Sequence, residues 1–283
     1  YKTVVSNGLV LDKNGNKMSK RLGNAVDPFS TIEKYGADAT RWYMIANAAP
    51  WDNLKFDMEG IAEVQRKLFG TLYNTYNFFT LYANIDDFVP SINNKESSDE
   101  LDRWITSVLH TLINEVTEHL TNYEPHRAAR AIEIFVDENL SNWYVRLSRR
   151  RFWKGEMNED KRAAYQTLYD CLITVAQLMS PVAPFFGDWL YNNLNAPADS
   201  VHLSLFPVAD KNLQDKALEQ RMELAQTISS LVLSLRKKTN IKVRQPLSRI
   251  LVPVLSGERK KQIEEVKHII LSEVNVKELE LIE

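Results

Sequence analysis

Two lysines, Lys17 and Lys20, bracket Met18 and Ser19, and Arg21 follows at once, within the polar run DKNGNKMSKRLGN. An ammonium on a four-carbon stem is a mobile point charge. It suits a ligand whose negative charge moves during reaction, as when a bond to the α-phosphorus of a triphosphate breaks and pyrophosphate leaves. A solvated lysine-rich loop has the same local composition. A second concentration of charge comprises Arg146, Arg149, Arg150, Arg151 and Lys154, with no acid between them, and at helical spacing Asn142, Arg146, Arg150 and Trp153 share a face. Arginines beside an indole neutralise phosphates and stack an unpaired base, which is how single-stranded RNA loops are held. The same arginines also fit a solvated face favoured by the dipole at a helix end, and Trp153 a rim position against a bundle. A third basic run, Arg236, Lys237, Lys238, Lys242, Arg244 and Arg249, fits an RNA backbone or an unoccupied connector.

The elements around these residues follow from periodicity and punctuation. Val4, Val5, Leu9, Val10 and Leu11 predict a β segment within residues 1–24, followed by a turn and a loop expected to move. Asp27-Pro28 supplies a cap and a first-turn proline for a helix to Tyr35, closed by Gly36, with a second helix from Asp38 to about Ile45. From Asp57 onward apolar residues recur at three and four: Ile61, Val64, Leu68, Leu72, Tyr76 and Phe79, then Leu101, Ile105, Val108, Leu112, Val116 and Leu120. Ser97 and Glu100 are a candidate capping box for the second of these. Ile132, Val136, Leu140, Trp143 and Leu147 mark a third stripe after Pro125, and Tyr165, Leu168, Leu172, Val175 and Met179 a fourth. The chain breaks at Pro181 and Pro184, runs through a short helix to Leu194, and has another long helix over 212–236. The tail alternates strand (LSRILVPV), helix (257–271) and strand (VNVKELELIE). The expected organisation is mainly α, in three parts: 1–56 around the lysine loop, a helical bundle over 57–208, and a long helix with a small α/β region over 209–283.

Composition bounds the chemistry. With 44% hydrophobic and 25% charged residues, 10 Pro and 9 Gly in 283 residues, collagen-like and disordered classes are excluded. A formal charge of −2 gives no global attraction to a polyanion, so any such site must be local. The single Cys171 cannot form an intrachain disulfide or a cysteine-rich zinc site, and fits a reducing compartment. His110, His119, His126, His202 and His268 have no metal-ligand spacing, so no metal is expected. No apolar run approaches the ~20 residues that span a bilayer, and the expectation is a cytoplasmic protein. The chain opens on Tyr1 inside an expected strand, which suggests a piece of something larger.

The ordered run KMSKRLGN, DP, IEKYGADATRWYM and NLKFD closely resembles the end of the catalytic domain of class I aminoacyl-tRNA synthetases. In that family the K-M-S-K loop closes on ATP during adenylate formation. The resemblance therefore assigns Lys17, Met18, Ser19, Lys20 and Arg21 to ATP binding, and Lys20 with Lys17 to catalysis. YGADATRWYM resembles the helix that follows in the Ile, Val, Leu subgroup. Further on, LDRWI, NWYVRLSRRRFWKG, LMSPVAPFFGDWLY, NIKVRQPLS and EVNVKELE look like landmarks of the isoleucine-charging members, in the branch without a cysteine-ligated zinc tail.

The resemblance implies a fold: the strand-loop-helix end of a Rossmann-like catalytic domain, a helical anticodon-binding bundle, and a small α/β junction domain. It implies ATP with Mg²⁺, isoleucine and tRNA(Ile) as partners of a monomeric enzyme. Asn142, Arg146, Arg149, Arg150, Arg151, Trp153, Lys237, Lys238 and Arg244 would then contact tRNA. The family's H-x-G-H motif is absent from these residues, as is any segment like the inserted editing domain, so this portion alone is expected to be inactive. A valine-charging relative, a non-catalytic tRNA-binding module and a helical scaffold for acidic partners are the alternatives.

Overall fold

A computed structural model of the chain describes residues 2–91, 97–254 and 256–282. The expected N-terminal β segment shrinks to β1 (Val10–Leu11), paired in parallel with β2 (Leu54–Lys55). The reason is local: Asp12 accepts the Asn14 and Asn16 N–H groups, and the chain doubles back so that Lys17 bridges Leu11 in antiparallel register. Between the two strands lie α1 (Pro28–Tyr35) and α2 (Ala37–Ala46). Asp27 caps α1 as the sequence predicts, its carboxylate accepting the Phe29 and Ser30 N–H groups. Ala39, Tyr43, Leu54, Phe56 and Ile61 form a small core beneath these pieces, with Met18 packed against it. The Tyr43 hydroxyl donates to the Lys55 carbonyl and accepts from the Asp57 N–H, both at 2.9 Å, locking β2 to the next helix.

That helix is α3 (Met58–Val64), which passes through a wide π-type turn at Gln65–Phe69 into α4 (Gly70–Ile85). The bundle continues with α5 (Glu100–Thr121) and α6 (Pro125–Ile134), a second π-type stretch (Phe135–Val145), α7 (Arg146–Trp153), α8 (Glu159–Met179) and α9 (Pro184–Asn193). The cap of α5 differs from the expected box. Asp99 accepts the Leu101 and Asp102 N–H groups, while Ser97 donates to the Asp102 carboxylate at 2.7 Å. Between α4 and α5, residues 92–96 lie outside the described residues.

The rod from Pro125 to Trp153 departs from the expected stripe. Its buried line is Ile132, Val136, Leu140, Tyr144, Ser148 and Phe152, an unbroken spacing of four, while Leu147 is only half-buried. A spacing of four exceeds the 3.6-residue turn of an α-helix, and the π-type stretch supplies the extra winding. The stripe drawn at α-helical period holds through Trp143, which is buried, and drifts off the inward face at Leu147.

By packing, a first compact unit runs to Gln214 and a second begins at Asp215. Asp210 stays with the first because its N–H donates to His110 Nδ1 at 2.9 Å. The second unit holds α10 (Lys216–Lys238), β3 (Leu247–Pro253), α11 (Gly257–Val274) and β4 (Val276–Ile282). β3 and β4 pair in parallel from Leu247↔Val276 to Pro253↔Ile282, and α11 is the crossover such a pair requires. Leu218, Met222 and Ala225 of α10 and Ile263, Val266 and Ile270 of α11 are buried. The helix expected at 212–236 starts later because Asp215 is its cap, and that at 257–271 runs on to Val274.

Candidate functional site

The lysine loop is folded on itself. Asp12 takes two backbone N–H groups on Oδ1, at 3.0 and 2.8 Å, and the Asn24 amide on Oδ2 at 2.9 Å. Asn24 then reaches the other side of the loop, its Oδ1 accepting the Ser19 N–H at 2.8 Å and its Nδ2 also donating to the Lys17 carbonyl at 3.3 Å. Ser19 caps a 3-10 turn, Lys20–Leu22, by accepting the Arg21 N–H, and Gly23 closes it through the Lys20 carbonyl. Gly15 and Gly23 sit at φ of 86° and 68°, the left-handed region, where a side chain would be strained. The Asn24 hydrogen bond, with those of Asn16 and Asn14, holds the Asp12 carboxyl below its ordinary value, so it is ionised at neutral pH.

Lys17, Lys20 and Arg21 are exposed, and among the described residues none has an acidic partner. The loop expected to move is hydrogen-bonded along its backbone, and its cationic stems project from it. Met18 contributes an apolar anchor to the small core. Lys55, paired with Leu11, adds a third ammonium that sequence reasoning missed. A Cβ placed on Gly15 would come within 3.4 Å of its Cε, so this stem lies along the loop.

On the rod ending at Trp153, Asn142, Arg146, Arg149, Arg150 and Trp153 are exposed, the indole to 61%. Arg146 Nε donates to the Asn142 carbonyl at 2.6 Å, and the Arg149 guanidinium lies 5.5 Å from the centre of the Phe78 ring. Arg151 belongs elsewhere. It pairs with Asp102 through both terminal nitrogens, at 2.7 and 2.8 Å, and also with Asp99 and Asp160. The Asp102 side chain is wholly buried and also accepts the Tyr144 hydroxyl at 2.7 Å. Burial alone would lower the Arg151 pKa, but hydrogen bonds and charge from Asp102 outweigh it and hold the guanidinium above its ordinary value. Arg151, expected at the tRNA, is thus engaged in ion pairs with three aspartates and mostly buried.

In the second unit the basic run divides similarly. Arg236 is only 2% exposed and donates to the carbonyls of Lys242, Gln245 and Asn275, tying the end of α10 to the start of β3 and β4. Arg249 pairs with Glu280 across the two strands at 2.6 Å. Lys237, Lys238, Lys242 and Arg244 remain exposed.

Other residues not singled out by sequence join the loop region to the bundle. Arg41 donates to the carbonyls of Val182 and Pro181, Arg130 to those of Ala46 and Asn47, and Asp38 accepts the Phe186 N–H at 2.6 Å. Trp42 Nε1 donates to Glu133 at 2.7 Å, and burial raises the Glu133 pKa.

Residues 1–57 match the family of class I tRNA synthetases (I, L, M and V), and residues 102–251, more than half of the chain, match the anticodon-binding domain of tRNA ligase. The chain belongs to the class I tRNA ligases that carry this anticodon-binding domain. Along its length it is similar to isoleucine–tRNA ligases: 61% identical over all of this chain and 25% of the relative from Porphyromonas gingivalis, and 58% over all of this chain and 26% of that from Cytophaga hutchinsonii. A relative from Dehalococcoides mccartyi is 45% identical over 99% of this chain and 28% of its own length. The chain thus spans about a quarter of the length of the curated relatives it matches. Among solved structures, the fold is similar to a LeuRS–tRNA–LeuAMS ternary complex from Agrobacterium radiobacter K84 (TM-score 0.59, 20% identity, 74% of this chain and 24% of that one). It is also similar to Mycobacterium tuberculosis methionyl-tRNA synthetase with methionyl-adenylate (TM-score 0.55, 26% identity, 66% of this chain and 37% of that one).

Proposed function

We propose that this chain is the part of an isoleucine–tRNA ligase that brings the mobile cations to ATP and grips the anticodon region of tRNA(Ile). The observation that carries the proposal is the 61% identity, over the whole chain, to a ligase of that name. The exposed, acid-free ammonium groups of the Lys17–Arg21 loop support the first role, and the exposed Arg146, Arg150 and Trp153 beside a pinned Arg151 support the second. In the parent enzyme the isoleucine carboxylate attacks the α-phosphorus of ATP, the new oxygen–phosphorus bond forms, and the bond to the bridging oxygen breaks. Lys20, with Lys17, offsets the charge that gathers on departing pyrophosphate. The terminal ribose of tRNA then takes the aminoacyl group and AMP leaves.

Mg²⁺ enters with ATP as part of the substrate. The described residues contain no cluster of three or more His, Cys, Asp or Glu placed to hold a metal, and we propose no zinc here. Among them no helix is long and apolar enough to cross a membrane, and we propose a cytoplasmic monomer. Because these residues lack H-x-G-H, the portion alone makes no adenylate. Lys237, Lys238 and Arg244 are proposed as outer contacts to the tRNA backbone. The test is charging of tRNA(Ile) by the full-length protein with isoleucine or valine. Isoleucine is expected to win in kcat/KM by about 10–200-fold, the range one methylene allows. Preference for valine would overturn the assignment.

A further inference from the structure

We propose that Asp12 and Asn24 are positioning residues of the lysine loop, a hydrogen-bonded clamp that holds the loop's internal shape so that it meets ATP as one piece with its cationic stems projecting. The inference rests on the reading of that loop as the ATP-facing element. The observations concern which atoms are held. Asn24 spends its carbonyl oxygen on the Ser19 N–H and both amide protons on the Asp12 carboxylate and the Lys17 carbonyl. Asp12 meanwhile gathers the Asn14 and Asn16 N–H groups, fixing the turn that sends the chain back toward Lys17. Asn24 thus ties the main chain of Lys17 through its carbonyl, while the adjoining turn ties Lys20 through its carbonyl to the Gly23 N–H and Arg21 through its N–H to Ser19 Oγ. No group of the clamp is apolar, and Asp12 and Asn24 are only partly buried, so the hydrogen bonds define the loop's shape without contributing a hydrophobic core.

A loop held in shape beneath flexible ammonium groups is an arrangement in which charge stabilisation acts in the transition state without the loop refolding first. Loss of the clamp should therefore appear in kcat more than in KM. The experiment is isoleucine-dependent ATP–pyrophosphate exchange by the full-length protein, read together with hydrogen exchange at the Ser19 amide.

Asn24→Ala is expected to lower kcat by about tenfold, with the KM for ATP within about twofold of the parent, and to speed Ser19 amide exchange by about tenfold. Asn24→Asp is expected to do the same, because a carboxylate cannot donate to Asp12 and repels it. Adding Asp12→Asn to Asn24→Asp reverses that donor and acceptor but leaves the Lys17 carbonyl without its donor, and should recover part of kcat. In a Lys20→Ala background, Asn24→Ala should cost less than about twofold more, since both act through one ammonium.

A parental kcat in Asn24→Ala would overturn the proposal, as would a full further tenfold loss on top of Lys20→Ala or a reversed pair no better than Asn24→Asp alone. If Lys20→Ala itself leaves exchange unchanged, the ATP reading of the loop fails instead. The Ser19 amide then still decides the clamp: slow exchange in Asn24→Ala rejects it.

Discussion

At the scale of single residues, charge has been sorted by partner. Arg150 and Arg151 are neighbours, yet one projects outward while the other is only 14% exposed and bound to three aspartates. Removing one member of a buried pair strands the other charge. Arg151→Ala should therefore cost ~3–5 kcal/mol in urea unfolding, whereas Arg150→Ala should stay within ~0.5 kcal/mol. Equal midpoints for the two variants would show that the Asp102 pair has no structural role. Residue types and spacing made the arginine cluster and the Lys17–Arg21 loop legible in sequence. That Arg151 is drawn inward while Arg150 projects was not legible, because it depends on where Asp102 stands, 49 residues earlier in the chain. Asp12 and Asn24 were hidden for a related reason: each looks like an ordinary turn residue until the other is placed beside it.

At the scale of elements, the helices were legible wherever periodicity was long and regular. Tyr165, Leu168, Leu172, Val175 and Met179 are all buried on α8, and the Asp27-Pro28 start of α1 is where cap chemistry puts it. Two features escaped: the stripe after Trp143, which follows a stretch of π-type winding, and the cap of α5, where Asp99 displaces Ser97. The segment at Asp210 is tied to α5 through His110, whose Nδ1 must be unprotonated to accept the N–H. Burial lowers the His110 pKa from 6.5, with the Asp210 charge opposing. An unfolded chain then binds the proton more readily than the folded one. The contribution is thus complete above about pH 6.5 and is lost as pH falls through the depressed folded value. As pH falls below that point the parent should lose melting temperature relative to His110→Asn, since the amide oxygen accepts the N–H without titrating. An unchanged difference across that range would contradict the assignment.

At the scale of the whole molecule, a net charge of −2 leaves RNA attraction to local groups, so individual arginines should register in the salt dependence of binding. Arg146→Ala or Arg150→Ala in the full-length protein should reduce the slope of log affinity for tRNA(Ile) against log salt by about one, weakening binding without touching adenylate formation. Identical slopes would remove those side chains from the interface. The division of labour is the central claim: cations near the amino end act on triphosphate, and the helical body acts on RNA. It is tested most directly by isoleucine-dependent ATP–pyrophosphate exchange in the full-length protein, measured side by side for the parent, Lys20→Ala and Arg150→Ala. The account predicts a fall of ~10² or more for Lys20→Ala and parental exchange for Arg150→Ala. Parental exchange in Lys20→Ala, or no isoleucine-dependent exchange in the parent, would contradict it.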